Sequence, residues 1–209
     1  LSRLAVLLRK FPETIIITDE IYEYLTYGHH HLSLLQVAPD LKERTIIIHG
    51  LAKNFAMTGW RVGFAAAPQE IASVLTKLQS QSSTCLPGFI ESAAVLALEN
   101  GRDLVQNELQ AYERRRELIL QEVKKIPNVE AVTPEGAFYL FLNCKESIAQ
   151  LTDITSTNQL AEILLTKYFI ATVPGEAFGT PGYLRLSFSI SEPDILEGIN
   201  HLREAFKDL

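Results

Sequence analysis

Apolar residues recur along this chain with two different periods, and the switches between them mark its elements. Residues 14–18 (Thr-Ile-Ile-Ile-Thr) and 45–49 (Thr-Ile-Ile-Ile-His) are short β-branched runs, the pattern of strands buried on both faces. Residues 62–67 read as a third strand. The segment separating it from the second is barely long enough for a parallel crossover, so the third strand is expected to run antiparallel. Helical spacing follows at 69–79, at about 89–99 and in a long amphipathic run at 103–125, with Pro87 and Gly88 breaking the first pair. Further strands are expected at 129–132, 138–143, 170–173 and 183–189, and further helices near 156–167 and 192–206. Ser191, with Glu192 and Asp194 after it, suits a helix N-terminus. The expected fold class is α/β: a helix-covered, mostly parallel sheet with one antiparallel strand, then an α+β unit with a small sheet. The junction is placed in the long helix, so the domains are expected at residues 1–115 and 116–209.

Composition narrows the function classes. A chain of 209 residues with 47 % hydrophobic and 21 % charged residues is globular. Its net charge of −6 argues against a polyanion-binding surface, so nucleic acid is not an expected partner. The two cysteines, Cys85 and Cys144, are too few for a disulfide framework or a zinc site and suit a reducing, cytoplasmic setting. No apolar run approaches the length of a membrane span. His29-His30-His31 reads as a surface loop rather than a metal site. Arg114-Arg115-Arg116, beside Glu113 and Glu117, reads as a solvated helix face with intrahelical ion pairs.

Three segments carry candidate chemistry. Lys53 lies just beyond the second isoleucine run, at the strand end where α/β proteins gather ligands. A lysine traps carbonyls only when part of its amine is deprotonated, which burial and a nearby cation favour. Leu51, Ala52, Phe55, Met57 and Trp60 are candidate apolar walls, and Arg61 is a candidate cation able to grip a phosphate. The first isoleucine run leads into Asp19-Glu20-Ile21-Tyr22. A carboxylate at that strand end can pair with a protonated pyridine nitrogen, and a phenol three residues on can donate to a phenolate oxygen. Arg185, in the alternating run 183–189, is either paired with a buried acid or awaiting a substrate carboxylate.

Taken in order, Asp19 to Tyr22, Lys53 to Gly63, Pro134 to Tyr139, Pro174 to Gly179 and Leu184 to Ser187 resemble the C-terminal half of the class I and II aminotransferases, fold type I enzymes, and within them the bacterial aspartate aminotransferase-like subgroup. The resemblance spans nearly the whole chain. It implies pyridoxal 5'-phosphate as cofactor, amino-acid and 2-oxo-acid substrates, and a homodimer in the full-length parent. Lys53 would form the Schiff base and move the proton between the substrate α-carbon and the cofactor. Asp19 would keep the pyridine nitrogen protonated, Tyr22 would bond the ring's phenolate oxygen, Arg61 would hold the phosphate and Arg185 the substrate α-carboxylate. Aspartate or an aromatic amino acid is the favoured donor and 2-oxoglutarate the acceptor; β-elimination or an inactive remnant are the alternatives. Gly50 stands where some branches of the family carry a serine, Ala52 where many members do, and His49 where asparagine is commoner. Complete members are close to twice this length, so the resemblance also implies a fragment.

Overall fold

The isoleucine runs become neighbouring strands. In the computed structural model, which describes residues 1–151 and 153–209, helix α1 (Ser2–Leu8) precedes strand β1 (Ile16–Asp19). A turn, the short helix α2 (Leu34–Val37) and a 3-10 helix at Pro39–Arg44 then lead into β2 (Thr45–Gly50), which pairs parallel to β1 with Asp19 opposite Ile48. Strand β3 (Gly63–Ala66) runs antiparallel to β2, with Gly50 opposite Gly63, as the short connection required. Helices α3 (Gln69–Gln81) and α4 (Gly88–Asn100) follow.

Strand β1 begins two residues later than the β-branched pattern suggests, because the backbone at Thr14 is engaged elsewhere. Its N–H donates to the Phe11 carbonyl at 3.2 Å, and its carbonyl accepts from Arg44 Nη1 at 2.7 Å. The same guanidinium donates to the Phe11 and Leu8 carbonyls, closing the end of α1, while Arg9 grips Asp40 through two bonds of 2.8 and 2.7 Å. Beneath these ties Ala5, Ile16, Leu34, Ala38 and Leu41 form one core cluster. A second joins Leu51, Val62 and Ala97 with Phe55, Met57 and Ile90.

The chain divides into two units, Leu1–Gln106 and Asn107–Leu209. The expected helix at 103–125 starts later: Gly101–Val105 is a 3-10 turn, and α5 runs from Gln106 to Val123. The second unit holds β4 (Glu130–Val132), β5 (Tyr139–Asn143), α6 (Lys145–Gln150), α7 (Thr157–Tyr168), β6 (Val173–Pro174), β7 (Tyr183–Ser187) and α8 (Glu192–Asp208). Its antiparallel sheet has the order β4-β5-β7-β6. The strand expected at 170–173 shrinks to Val173–Pro174, because Phe169 turns left-handed (φ 58°) and the Ile170 N–H is spent on the Leu164 carbonyl, closing α7. Pro174 lacks a donor and is tolerated on this edge strand.

Alternation decides the two faces of the second sheet. Leu140, Leu142, Leu184 and Leu186 are buried, while Tyr139, Phe141, Asn143, Tyr183 and Arg185 lie on the opposite, partly open face. Ile195, Ile199, Leu202 and Ala205 make the buried stripe of α8, and α7 lies against α8, β6 and β7. Ser191 caps α8 by accepting the Asp194 N–H. The arginine run also reaches beyond its own helix. Arg114 reaches Glu192 of α8 at 3.7 Å, Arg116 Nε donates to the Pro134 carbonyl at 2.7 Å, and Arg115 Nε is buried, its guanidinium over Tyr112. The run braces the unit, because three consecutive residues on a helix face three directions. No helix among the described residues is long and apolar enough to cross a membrane.

Candidate active site

Parallel pairing brings Asp19 and the lysine turn to one end of the first sheet. Asp19 is the last residue of β1 and the next residue's N–H, Glu20, donates to the Ile48 carbonyl at 2.9 Å; β2 then runs only to Gly50 before the turn that holds Lys53. That turn is tightly closed. Leu51 N–H reaches the Val62 carbonyl at 3.3 Å, and the Phe55 and Met57 N–H groups converge on the Leu51 carbonyl at 3.2 and 3.4 Å. Two non-glycine residues in the left-handed region bracket its far side, Ala56 (φ 52°) and Arg61 (φ 55°). Such conformations cost about 1 kcal/mol each and persist only where surrounding contacts dictate them. Here the fully buried Leu51 and the mostly buried Val62 are those contacts.

Gly50 is required by this closure. A Cβ there would lie 2.8 Å from the Val62 carbonyl oxygen and 3.0 Å from Ile21 Cδ1. The glycine therefore lets the Asp19–Tyr22 segment press against the lysine loop. The lack of a side-chain hydroxyl at this position follows from that packing demand. A second tie joins the two segments: buried Asn54, next to Lys53, accepts the Tyr24 N–H on Oδ1 at 3.1 Å, and Tyr24 meets Phe55 edge to face. Tyr22 is thus carried on a turn pinned to the lysine turn at Asn54.

Two adjacent carboxylates divide the labour at the strand end. Asp19 is exposed and its Oδ1 accepts the Ile21 N–H at 3.2 Å. Glu20 points inward at 9 % exposure, where Ser33 and Thr18 hydroxyls donate to Oε1 at 2.8 and 3.1 Å and His31 Nε2 bonds Oε2 at 3.0 Å. Burial by itself raises the Glu20 carboxyl, but the bonds from His31, Ser33 and Thr18 together outweigh it and hold the group below its ordinary value. Sequence reasoning missed this network, although period-two alternation across β1 signals that neighbours 19 and 20 must face opposite ways. His31 accordingly belongs to a structural contact, and no metal-binding group of His, Cys, Asp or Glu occurs among the described residues.

His49 is a second residue that composition alone did not expose. Its Nδ1 accepts the Gly50 N–H at 2.8 Å, so the proton sits on Nε2, which donates to Glu23 at 2.8 Å. The ring stacks on Phe64 at 5.1 Å. His49, Phe64 and Arg61 line an open cleft of about 1040 Å³ in the first unit. Arg61 is exposed, and Nη1 donates to its own turn at the Thr58 carbonyl at 3.0 Å. The chemistry of these side chains is what a phosphorylated pyridine aldehyde calls for: a lysine amine, a carboxylate oxygen on Asp19 that is open among the described residues, a phenol, and guanidinium N–H groups on Arg61 beyond the one used internally. Buried Asn54 Nδ2, beside Lys53, also lacks a hydrogen-bond partner among the described residues.

Arg185 stands in the second unit, on the partly open face of its sheet. No acid pairs with it among the described residues. Its guanidinium carbon lies 4.5 Å from the centre of the Tyr139 ring and 4.8 Å from that of Phe178. The alternative of a buried ion pair is thereby removed.

Comparison with known proteins finds likeness over nearly the whole chain. The family described as aminotransferase class I and II matches residues 1–202. A probable aspartate/prephenate aminotransferase of Aquifex aeolicus is 39 % identical over 197 residues, covering 93 % of this chain and 49 % of the relative. The crystal structure of the Rhizobium meliloti aspartate aminotransferase superposes with a TM-score of 0.91 at 32 % identity, covering 98 % of this chain and 52 % of the other. An aromatic aminotransferase of Pyrococcus horikoshii gives 0.89 at 31 % identity, covering 99 % and 54 %. The chain spans about half the length of the curated relatives it matches.

Proposed function

We propose, from the premise that this chain belongs to the aminotransferase class I and II family, that its parent protein transfers an amino group from an L-amino acid to a 2-oxo acid with pyridoxal 5'-phosphate. Aspartate or an aromatic amino acid is the donor and 2-oxoglutarate the acceptor, a reading supported by relatives named as aspartate, aspartate/prephenate and aromatic aminotransferases. The homodimer that the resemblance implies is part of the same proposal. The observation that carries it is the parallel β1–β2 pair, which sets Asp19 and the Lys53 turn at one sheet end.

When bound, the pyridine ring supplies the electron sink that stabilises a carbanion at the substrate α-carbon. The remaining work falls to side chains. Asp19 holds a proton at the pyridine nitrogen through its open carboxylate oxygen, since an anion beside that nitrogen favours its charged form. Tyr22 donates its phenolic hydrogen to the ring's 3-oxygen. Arg61 binds the phosphate through its N–H groups. Lys53 would hold the aldehyde carbon through its amine and, when that amine is free, would serve as the general base and acid that moves the proton between the substrate α-carbon and the former aldehyde carbon. Arg185 receives the α-carboxylate, a planar anion matched to its fork.

Borohydride reduction of the purified chain with pyridoxal phosphate, followed by peptide mapping beside a Lys53→Ala control, tests this. Saturable, stoichiometric labelling at Lys53, absent from the control, is expected. Scattered labelling that the control leaves unchanged would refute the assignment of Lys53.

A further inference from the structure

Among the described residues, the Arg185 guanidinium lies against two aromatic rings and pairs with no acid. Alternation along β5 and β7 places Tyr139, Phe141, Tyr183 and Arg185 on one sheet face, with Arg185 directly opposite Phe141 and diagonal to Tyr139. Phe178, at the end of the 3-10 turn Gly175–Phe178, comes over the same face and meets Phe141 edge to face at 6.1 Å. Phe141 in turn stacks on Tyr183 at 4.8 Å. The guanidinium is thus the cation of an aromatic cluster, with ring centres 4.5 and 4.8 Å from its central carbon. Both distances are well inside the roughly 6 Å within which a ring quadrupole attracts a cation.

We propose that Tyr139 and Phe178 are positioning residues that hold the Arg185 guanidinium for a carboxylate, an inference that rests on the carboxylate role assigned to Arg185. An arginine side chain has many rotamers, and a free one must surrender much of that freedom when it grips an anion. Rings that cover part of the planar group restrain it beforehand and keep water off those surfaces. Their faces bring no carboxylate to compete at the N–H edge, as an aspartate partner would. The restraint is therefore compatible with leaving the fork's donors to the incoming anion. Phe178 is 47 % exposed, so its replacement disturbs little beyond its contacts with Arg185 and Phe141.

The test is nuclear magnetic resonance on the labelled chain, with the Arg185 Nε–Hε signal assigned by its loss in Arg185→Lys and with 2-oxoglutarate as the titrant. A ring-shifted Hε with slowed rotation about Nε–Cζ is expected, and the signal should move on titration. Phe178→Leu and Tyr139→Leu should each return the shift and rotation toward those of a solvated arginine and weaken the response to 2-oxoglutarate by about threefold to tenfold. Phe178→Tyr and Tyr139→Phe should restore both. A wild-type response that the leucine variants share in full overturns the proposal alone. A wild-type Arg185 signal that ignores 2-oxoglutarate overturns the carboxylate role of Arg185 and this proposal with it.

Discussion

Replacing Glu20 separates the inward carboxylate from the outward one. Three donors converge on it, from His31 at 3.0 Å, Ser33 at 2.8 Å and Thr18 at 3.1 Å. Hydrogen bonds to a charged acceptor contribute about 1.5–3 kcal/mol each, while the desolvation of a buried carboxylate takes back several. Glu20→Gln keeps an oxygen for the two hydroxyls and loses the charge-assisted bond to His31, so about 1–2 kcal/mol of stability should disappear. Glu20→Ala strands all three donors and should cost about 3 kcal/mol. Urea unfolding followed by the fluorescence of Trp60, the chain's single tryptophan and a residue of the same unit, measures both. The pH dependence has a definite sign. A carboxyl held below its ordinary value in the folded state stabilises fully above the unfolded value, and that contribution is lost as pH falls through the folded one. The gap between wild type and Glu20→Gln should therefore be widest near neutrality and close in acid. Equal midpoints at neutral pH, or a gap that widens in acid, would refute the reasoning.

Gly50→Ala should cost about 2 kcal/mol or more, because a Cβ 2.8 Å from the Val62 carbonyl forces the closed lysine turn apart. The same variant should lose reductive labelling at Lys53, and wild-type stability with wild-type labelling would show that the turn has slack. The two thiols should react very differently with iodoacetamide at pH 8. Cys85 is exposed and should be alkylated, whereas burial pushes the Cys144 thiol up to about 12 and should spare it in the native state. Equal rates by mass spectrometry would contradict the buried position.

Much of the fold was legible in local pattern. The isoleucine runs, the short link between β2 and β3 and the breaks at Pro87 and Gly88 each express a constraint that acts within a few residues. What was misread depended on competition from distant groups. Residues 14 and 15 have strand propensity, yet Arg44 claims the Thr14 carbonyl. Residues 170–172 have it too, but the closing bond of α7 takes the Ile170 N–H first. Short helices α2 and α6 escaped notice because four to six residues carry too little periodicity to detect.

The candidate site divides along the same line. Lys53, Asp19, Tyr22, Arg61 and Arg185 could be named from residue type and order alone, because the chemistry of an amine, an acid, a phenol and a guanidinium is a property of the side chain. Their environments could not. Whether Asp19 or Glu20 turns inward depends on which face of β1 meets the rest of its unit, and Gly50 is indispensable only because Ile21 and Val62 arrive from other segments. Arg185 could equally have met an acid; strand pairing brought Tyr139 beside it, and the turn after β6 brought Phe178. Sequence determines what each group can do, while burial and partnership are relations between residues far apart in the chain, which exist only once tertiary packing has excluded water from between them.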